Sequence, residues 1–388
     1  MSVRQARAEV PNFRISFVYF AYFCVVGALL PFWGLYLEYL QFSPGAIGFI
    51  IAIPMITKIL APNLWGLLAD KSGRRLLIAR LGAAGSCLCF AGILFVDSTR
   101  IFILFIAAYS FFWNAIHAQF EVVTLNYLRH KPETYSHVRL WGSLGFVVVV
   151  IGLGLVFDGI SIAWLPWFIF AFLAGIFFSS LTLPALEEQS LERKLGDFIA
   201  KLTQKPVYLF FLILFLIQFS LGIYHAFFSL YMKDLGYSKS TIGVLWAIGA
   251  IAEIILFLQA PALLRRYPLR LLITLTLYLS LLRWILTCFL ASWLVIIVFA
   301  QCLHALTFGM THVVAIEFVR RQFMGGDQSQ GQAFYNAIGF GAANALGSIV
   351  GGLAYEMNGQ MAFIVAIVIV LLAIIIQIWA SRRSLLAE

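Results

Sequence analysis

Six ionisable residues interrupt long apolar stretches of the sequence, and their side chains are the ones best suited to chemistry. They are Lys58, Glu121, Arg139, Glu253, Arg283 and His304. A charged side chain at the centre of a bilayer costs at least ~2.5–3.5 kcal/mol, so such residues usually face a water-filled cavity on a substrate or ion pathway. In a cavity, a cation can bind an anion. A carboxylate can carry a proton there, because burial favours its neutral form and a neighbouring cation favours its ionised form. The alternatives are that Lys58 fills a packing niche and that Arg139 only marks a helix end.

The elements that must hold these residues are membrane-spanning helices. Of the 388 residues, 62% are hydrophobic and 11% are charged, whereas soluble domains contain about 25% charged residues. A spanning helix needs about 20 mostly apolar residues. Twelve such runs are predicted, at about 15–38, 44–68, 76–97, 101–128, 138–158, 162–183, 207–232, 240–263, 270–290, 292–318, 331–355 and 360–380. The predicted fold class is therefore an all-α membrane protein with twelve transmembrane helices.

The longest polar interruption divides these helices six and six. We predict a six-helix bundle at 1–185, a cytoplasmic linker with an amphipathic helical piece at 186–206, and a second six-helix bundle at 207–388. An internal repeat supports this division, because residues 35–60 and 230–255 align without a gap at an offset of 195, with ten of twenty-six positions identical. Parallel repeats of this kind enclose a central cavity at their interface.

The register of the repeat relates the candidate residues to each other. It places Glu253 at the position of Lys58, and His312 at the position of His117. The second and eighth predicted helices therefore carry opposite charges at equivalent places, which favours a cavity site over a packing role for Lys58.

The basic residues predict the orientation. If the amino terminus lies in the cytoplasm, the inner loops and tails hold twenty Lys and Arg residues, whereas the outer loops hold only Arg100, Lys233 and Lys239. This excess is typical of the cytoplasmic side, so we predict a multi-pass protein of the inner (cytoplasmic) membrane with both termini in the cytoplasm. The same loops account for the net charge of +9 without a nucleic-acid partner. The five cysteines lie in apolar runs, which predicts neither disulfides nor a metal site.

The loop after the second predicted helix carries a motif. Its sequence GLLADKSGRR resembles the loop signature of the major facilitator superfamily, Gly-x-x-x-Asp-Arg/Lys-x-Gly-Arg/Lys-Arg/Lys. The matching residues are Gly66, Asp70, Lys71, Gly73, Arg74 and Arg75. Gly73 suits a tight turn, and Asp70 suits a cap on a facing helix or an ion pair with arginine, so we expect this loop to latch the cytoplasmic side shut. The equivalent positions of the second half hold Pro261 and Arg265, so strong gating is expected only from the first half.

Within this superfamily, the chain resembles the lactose permease and phenylpropionate permease relatives. The resemblance lies in PFWGLYL (31–37), VRLWGSLGF (138–146) and the stretches AEIIL, LLRWIL and LHALTF of helices eight to ten. It implies that Glu121 and Arg139 contact the substrate, and that Glu253, Arg283 and His304 serve substrate binding and proton coupling. A further carboxylate of the lactose permease's tenth helix falls here on Thr307. Its paired aspartates in the seventh helix and its lysine in the eleventh have no counterparts, and those helices offer instead Gln218, Tyr224 and His225, and Asn336 and Asn344. These differences disfavour a sugar substrate.

The sequence therefore predicts a secondary active transporter, a proton-coupled symporter of a small organic anion such as the aromatic acid phenylpropionate. Lys58 is expected to attract the anion and Glu253 to carry the proton, with Glu121 as the second candidate for the proton. The alternative is a proton-coupled oligosaccharide or nucleoside permease. An enzyme is disfavoured because the sequence lacks HExxH and GxSxG motifs. We expect a monomer in the lipid bilayer that binds its substrate and protons without a cofactor.

Overall fold

The computed structural model describes residues 11–128, 134–184, 198–323 and 326–382. Twelve of its helices are long and apolar enough to cross a membrane. They are α1 Asn12–Tyr39, α2 Pro44–Ser72, α3 Arg75–Ile93, α4 Thr99–Leu128, α5 Tyr135–Gly159, α6 Ile162–Leu181, α7 Lys205–Asp234, α8 Lys239–Arg266, α9 Leu269–Leu290, α10 Leu294–Gln322, α11 Asp327–Met357 and α12 Gly359–Arg382. The predicted all-α fold with twelve spans is confirmed.

Equivalent helices of the two predicted six-helix groups make equivalent contacts. In the first group, α1 lies against α5 and α6, and in the second, α7 lies against α11 and α12. The serines that precede α2 and α8 are repeat equivalents. Ser43 accepts the backbone N–H of Ala46 at 3.3 Å, and Ser238 accepts that of Thr241 at 3.2 Å. Each cap satisfies a donor that the first turn leaves free, so equivalent residues begin equivalent helices.

The predicted linker is described only in part, because residues 185–197 lie outside the described ranges. Its last part forms a five-residue helix, Phe198–Leu202, and α7 already begins at Lys205. Lys201 Nζ donates a hydrogen bond of 2.8 Å to Asp327 at the start of α11, and the ring of Phe198 lies 5.3 Å from that of Phe323. The short helix is thereby attached to the second group of helices.

Three helices are irregular near the middle of the bundle. A π-helical turn occurs in α10 at Ala305–Gly309 and in α11 at Asn336–Ala343. Such turns are rare in proteins, and those that occur often lie at functional sites. Helix α2 contains Pro54 and Pro62, which stand four residues before and after Lys58, and an interior proline kinks a helix. These irregular segments position the candidate site.

The two halves approach each other closely at one end of the bundle. We call this end, with the α1–α2, α5–α6 and α7–α8 connections, the distal face, and the other end, where α1 begins at Asn12 and α12 ends at Arg382, the terminal face. The halves meet through the helix pairs α2–α11, α5–α8 and α1–α7. Near the distal face, a Cβ on Gly48 would lie 2.3 Å from the Ser348 carbonyl oxygen, and one on Gly243 would lie 2.1 Å from that of Val150. Only glycine permits such contact, and it closes the distal face.

Candidate functional site

Lys58 lies near the middle of α2 and is nevertheless exposed. Its Nζ stands 5.4 Å from the ring centroid of Phe340, which belongs to α11 in the other half. Lys58 also lies within electrostatic range of His117 on α4 and His225 on α7. Since its neighbours come from both halves, the exposed ammonium faces the cavity between them rather than lipid.

Arg139 faces the same cavity from α5. Its guanidinium carbon lies 4.3 Å from the ring centroid of Phe23 and 5.8 Å from that of Tyr19. Across the cavity, Arg139 is within electrostatic range of Glu253 on α8 and His312 on α10. The cation is therefore held on aromatic rings of its own half and faces ionisable groups of the other half.

Glu121 contacts Tyr135 and His117 rather than Arg139. Tyr135 donates a hydrogen bond of 2.7 Å to Glu121 Oε1, and His117 Nδ1 lies 4.0 Å from Glu121 Oε2. Among the described residues, Glu121 and Arg139 form no ion pair within 4.0 Å. The side chain of Glu121 is 40% exposed, so the carboxylate reaches the cavity without being neutralised by Arg139.

Glu253 lies on α8 beside a histidine. His304 Nε2 is 4.0 Å from Glu253 Oε2, and the carboxylate side chain is 20% exposed, whereas the His304 side chain is 9% exposed. From the other half, Arg139 lies within electrostatic range of Glu253. Glu253 and Arg283, to which the resemblance assigns a shared function, form no ion pair within 4.0 Å in the described structure.

Arg283 is instead fully buried within the second half. Its Nη1 donates a hydrogen bond of 3.0 Å to Thr307 Oγ1, and its guanidinium carbon lies 4.2 Å from the ring centroid of Tyr224 and 4.6 Å from that of Trp284. Its Nε and Nη2 have no hydrogen-bond partner in the described structure. The rings of α7 and α9 cover the guanidinium, so in this conformation Arg283 does not line the cavity with Lys58 and Arg139.

A chain of hydrogen bonds joins two histidines of the second half. His225 Nδ1 lies 3.1 Å from Asn344 Oδ1, and Asn344 Nδ2 donates to Gln218 Oε1 at 3.2 Å. Gln218 Nε2 in turn donates to the Tyr335 hydroxyl at 3.4 Å, and that hydroxyl lies 3.4 Å from His312 Nδ1. Sequence reasoning singled out four of these residues but missed Tyr335. The signal available for it was the polar run GQAFYN at the start of the eleventh helix.

Comparison with known proteins decides the family. A family model described as "MFS_1 like family" matches residues 12–365. The chain belongs to this family. It is 25% identical over 373 residues to the "Probable 3-phenylpropionic acid transporter" of Escherichia coli (strain K12), with 92% of this chain and 95% of the relative covered. It is 28% identical over 355 residues to the "Maltose permease" of Geobacillus stearothermophilus, with 87% and 86% covered.

Solved structures share the fold of this MFS_1-like protein. A crystal structure of a point mutant of the nucleoside transporter NupG superposes with a TM-score of 0.86 at 19% identity, covering 95% of this chain and 99% of that one. A bacterial homolog of the human lysosomal transporter Spinster gives a TM-score of 0.70 at 13% identity, with 98% of each chain covered. The predicted resemblance to the major facilitator superfamily is confirmed, and the MFS_1-like protein is a multi-pass membrane transporter.

In this MFS_1-like protein, the signature loop connects helices of one half. Gly73 adopts φ 60° and ψ 20°, the left-handed turn that was expected of it. Asp70 pairs with Arg75, and Arg75 Nη1 donates a hydrogen bond of 2.9 Å to Gln119 on α4. These contacts join α2, α3 and α4, all in the first half. The described contacts of this loop therefore lie within the first half, and the expected latch across the terminal face stays a prediction.

Proposed function

We propose that the protein is a proton-coupled symporter that moves a small organic anion, of the aromatic carboxylate class, by alternating access. In this proposal the terminal face is cytoplasmic, as the basic residues of the loops predict, and the membrane is the inner membrane. The described conformation then faces inward. A reporter that is active only in the cytoplasm, fused to the carboxyl terminus, tests this orientation, and an inactive but expressed fusion would contradict it.

The proposal depends chiefly on the observation that the two cations of the cavity, Lys58 and Arg139, are not paired with a described carboxylate. Among the described residues, neither Lys58 nor Arg139 has a carboxylate within 4.0 Å, and each lies over an aromatic ring. A substrate carboxylate can therefore pair with a cation without displacing a protein acid. The rings of Phe340 and Phe23 beside those cations offer apolar contact for the aromatic part of the substrate.

The coupling of proton and anion binding involves Glu253 and Arg139, which belong to opposite halves. Arg139 of the opposite half gives the carboxylate of Glu253 a favourable electrostatic interaction. An anion that binds at Arg139 cancels this advantage, so anion and proton bind more favourably together than apart. His304, 4.0 Å from Glu253, is the nearest group that can exchange the proton with the carboxylate. Arg283, which the resemblance implied for this role, supports the site from behind through Thr307 and Tyr224.

A second candidate is a nucleoside or oligosaccharide permease. The hydrogen-bonded chain that contains Gln218 and Asn344 offers amide groups of the kind that bind hydroxyls. The named activities of the maltose permease and of NupG are consistent with such a substrate.

Counterflow in proteoliposomes separates these candidates. Vesicles loaded with unlabelled 3-phenylpropionate are expected to accumulate external labelled 3-phenylpropionate, whereas vesicles loaded with uridine or maltose are not expected to do so with their own labelled forms. Exchange of uridine or maltose without exchange of the acid would establish the second candidate. An imposed proton gradient should then drive net uptake of the acid, and uptake that ignores the gradient would refute coupling.

A further inference from the structure

Two carboxylates at the distal face cap helices of the opposite half. Asp158, near the end of α5, accepts the backbone N–H of Lys239 at 2.9 Å and that of Ser240 at 3.2 Å, in the first turn of α8. Glu356, near the end of α11, accepts the backbone N–H of Gly45 at 3.1 Å, in the first turn of α2. Each contact gives a partner to a backbone donor that a helix leaves unsatisfied at its amino end, and each joins one half to the other.

The two contacts are related by the internal repeat. Gly45 and Ser240 are separated by 195 residues, which is the offset of the repeat, and Asp158 and Glu356 are separated by 198. The same separation of 198 relates Val150 and Ser348, whose carbonyl oxygens face the equivalent glycines of α8 and α2. The carboxylates are thus placed by the same close approach of glycine and backbone that closes the distal face.

We propose that Asp158 and Glu356 form a two-part distal latch, which favours the conformation with the distal face closed and opens when the halves separate there. A carboxylate at a helix amino end gains both hydrogen bonds and a favourable interaction with the helix dipole. When the distal face opens, water hydrates the carboxylate and the helix end separately, and both interactions are lost. The latch sets the balance between the two conformations, it is separate from the signature loop, and it does not depend on which substrate the cavity binds.

The two parts of the latch are unequal. The first residue of α2 is Pro44, which has no N–H, so Glu356 meets a single donor there. The equivalent first residue of α8 is Lys239, which has one, and its Nζ also donates to the Phe157 carbonyl at 2.9 Å. Asp158 therefore contributes more to closure than Glu356. Nearby, Lys233 Nζ pairs with Glu38 at 2.5 Å across the same interface.

Distances between spin labels across the distal face test the latch. Labels at Ser98→Cys in the α3–α4 loop and Ser292→Cys in the α9–α10 loop, with the native cysteines replaced, report the separation of the halves. Asp158→Ala is expected to raise the ratio of open to closed distal face about fivefold, the amount typical of a lost helix cap. Glu356→Ala should have a smaller effect, and the double variant roughly the product of the two, because the sites are independent.

Three further variants keep the test decisive. Asp97→Ala, in the α3–α4 loop, removes a distal carboxylate that has no hydrogen bond across the halves in the described structure, and it should leave the distances unchanged. Asp158→Asn keeps a capping acceptor and should stay close to the parent. Lys239→Pro introduces the residue that the first half has at the equivalent position. It removes the backbone N–H that donates to Asp158, so it should raise the ratio of open to closed distal face without altering either carboxylate.

The latch is refuted if the double alanine variant folds and shows the distance distribution of the parent. It is also refuted if Asp97→Ala shifts the distribution as far as Asp158→Ala does. Should the alanine variants fail to fold, Lys239→Pro decides by the same criterion, because proline is well tolerated at the first position of a helix. These distances do not depend on the identity of the substrate. The experiment therefore supports or refutes the latch even if the proposed substrate is wrong.

Discussion

Replacement of Lys58 by methionine tests the anion site directly, because the change removes the charge and keeps most of the length and apolar stem. In the structure, the ammonium is exposed to the cavity and lies 5.4 Å from the centroid of the Phe340 ring. The closest described contact that the empty protein loses is this cation–π contact, worth about 0.5–1 kcal/mol at an exposed site. We therefore expect little change in the melting temperature.

The effect on substrate affinity should be much larger. A hydrogen bond between an ammonium and a substrate carboxylate contributes about 1.5–3 kcal/mol, so the dissociation constant of 3-phenylpropionate should rise roughly ten- to hundredfold. Isothermal titration calorimetry on the purified protein measures this constant. The neutral amide of the same acid is the matched ligand, because its affinity depends on the ring contacts and should hardly change in the variant.

Two controls complete the experiment. Lys205→Met, at the start of α7 on the terminal face, removes a lysine remote from the cavity and should bind both ligands like the parent. If Lys58→Met also binds 3-phenylpropionate like the parent, then Lys58 is only a packing residue. If the variant loses affinity for the acid and for the amide equally, the loss of affinity comes from a changed shape of the cavity, and the reasoning from charge is wrong.

Three other predictions concern coupling, closure and the buried arginine. Glu253→Gln should retain counterflow but lose uphill accumulation in a proton gradient, because an amide cannot release a proton; continued accumulation would assign the proton to another group. Gly243→Ala should lengthen the label distances across the distal face, because its Cβ would lie 2.1 Å from the Val150 carbonyl oxygen; an unchanged distribution would contradict that geometry. Thr307→Val should lower the melting temperature, because a buried Arg283 donor loses its partner at a cost of about 1–3 kcal/mol; an equally stable variant would show that another group replaces the threonine.

The number and order of the helices were predictable from the sequence because lipid imposes strict requirements. Every span must be long and apolar, and the caps, turns and repeats leave local signals, such as Ser43 and Ser238 before α2 and α8. The turn at Gly73 was also predictable, because its left-handed backbone suits glycine. Helix boundaries shifted by a few residues, as at α10, which the apolar pattern ended at 318 and the structure extends to Gln322.

The contacts of the candidate residues were less predictable, because they depend on the rotation of each helix about its axis. The sequence places Arg283 and Glu253 on neighbouring helices of the same half, but it does not state which side of each helix meets the other. In the structure, Arg283 turns toward Thr307 and the Tyr224 ring, and Glu253 turns toward His304. The resemblance implied a shared function for these residues, but it does not determine which of them make contact in this packing.

The repeat also explains why equivalent residues need not meet. Parallel halves are related by an axis along the membrane normal, so equivalent positions touch only where their helices lie beside that axis. Glu38 and Lys233, which are 195 residues apart on α1 and α7, do touch. Lys58 and Glu253 share that offset but lie on α2 and α8, which meet α11 and α5 of the opposite half.

Each cavity charge therefore faces a residue of a different type from the other half. Lys58 lies over the ring of Phe340 on α11, and Glu253 lies within electrostatic range of Arg139 on α5. The same two helix pairs, α2–α11 and α5–α8, carry the glycine contacts and the carboxylate caps of the distal face. A rotation of one half against the other must change the cavity and the distal latch together, because both are built on the same pairs of helices. In the mechanism we propose, this shared construction is what links occupancy of the cavity to the side from which it opens.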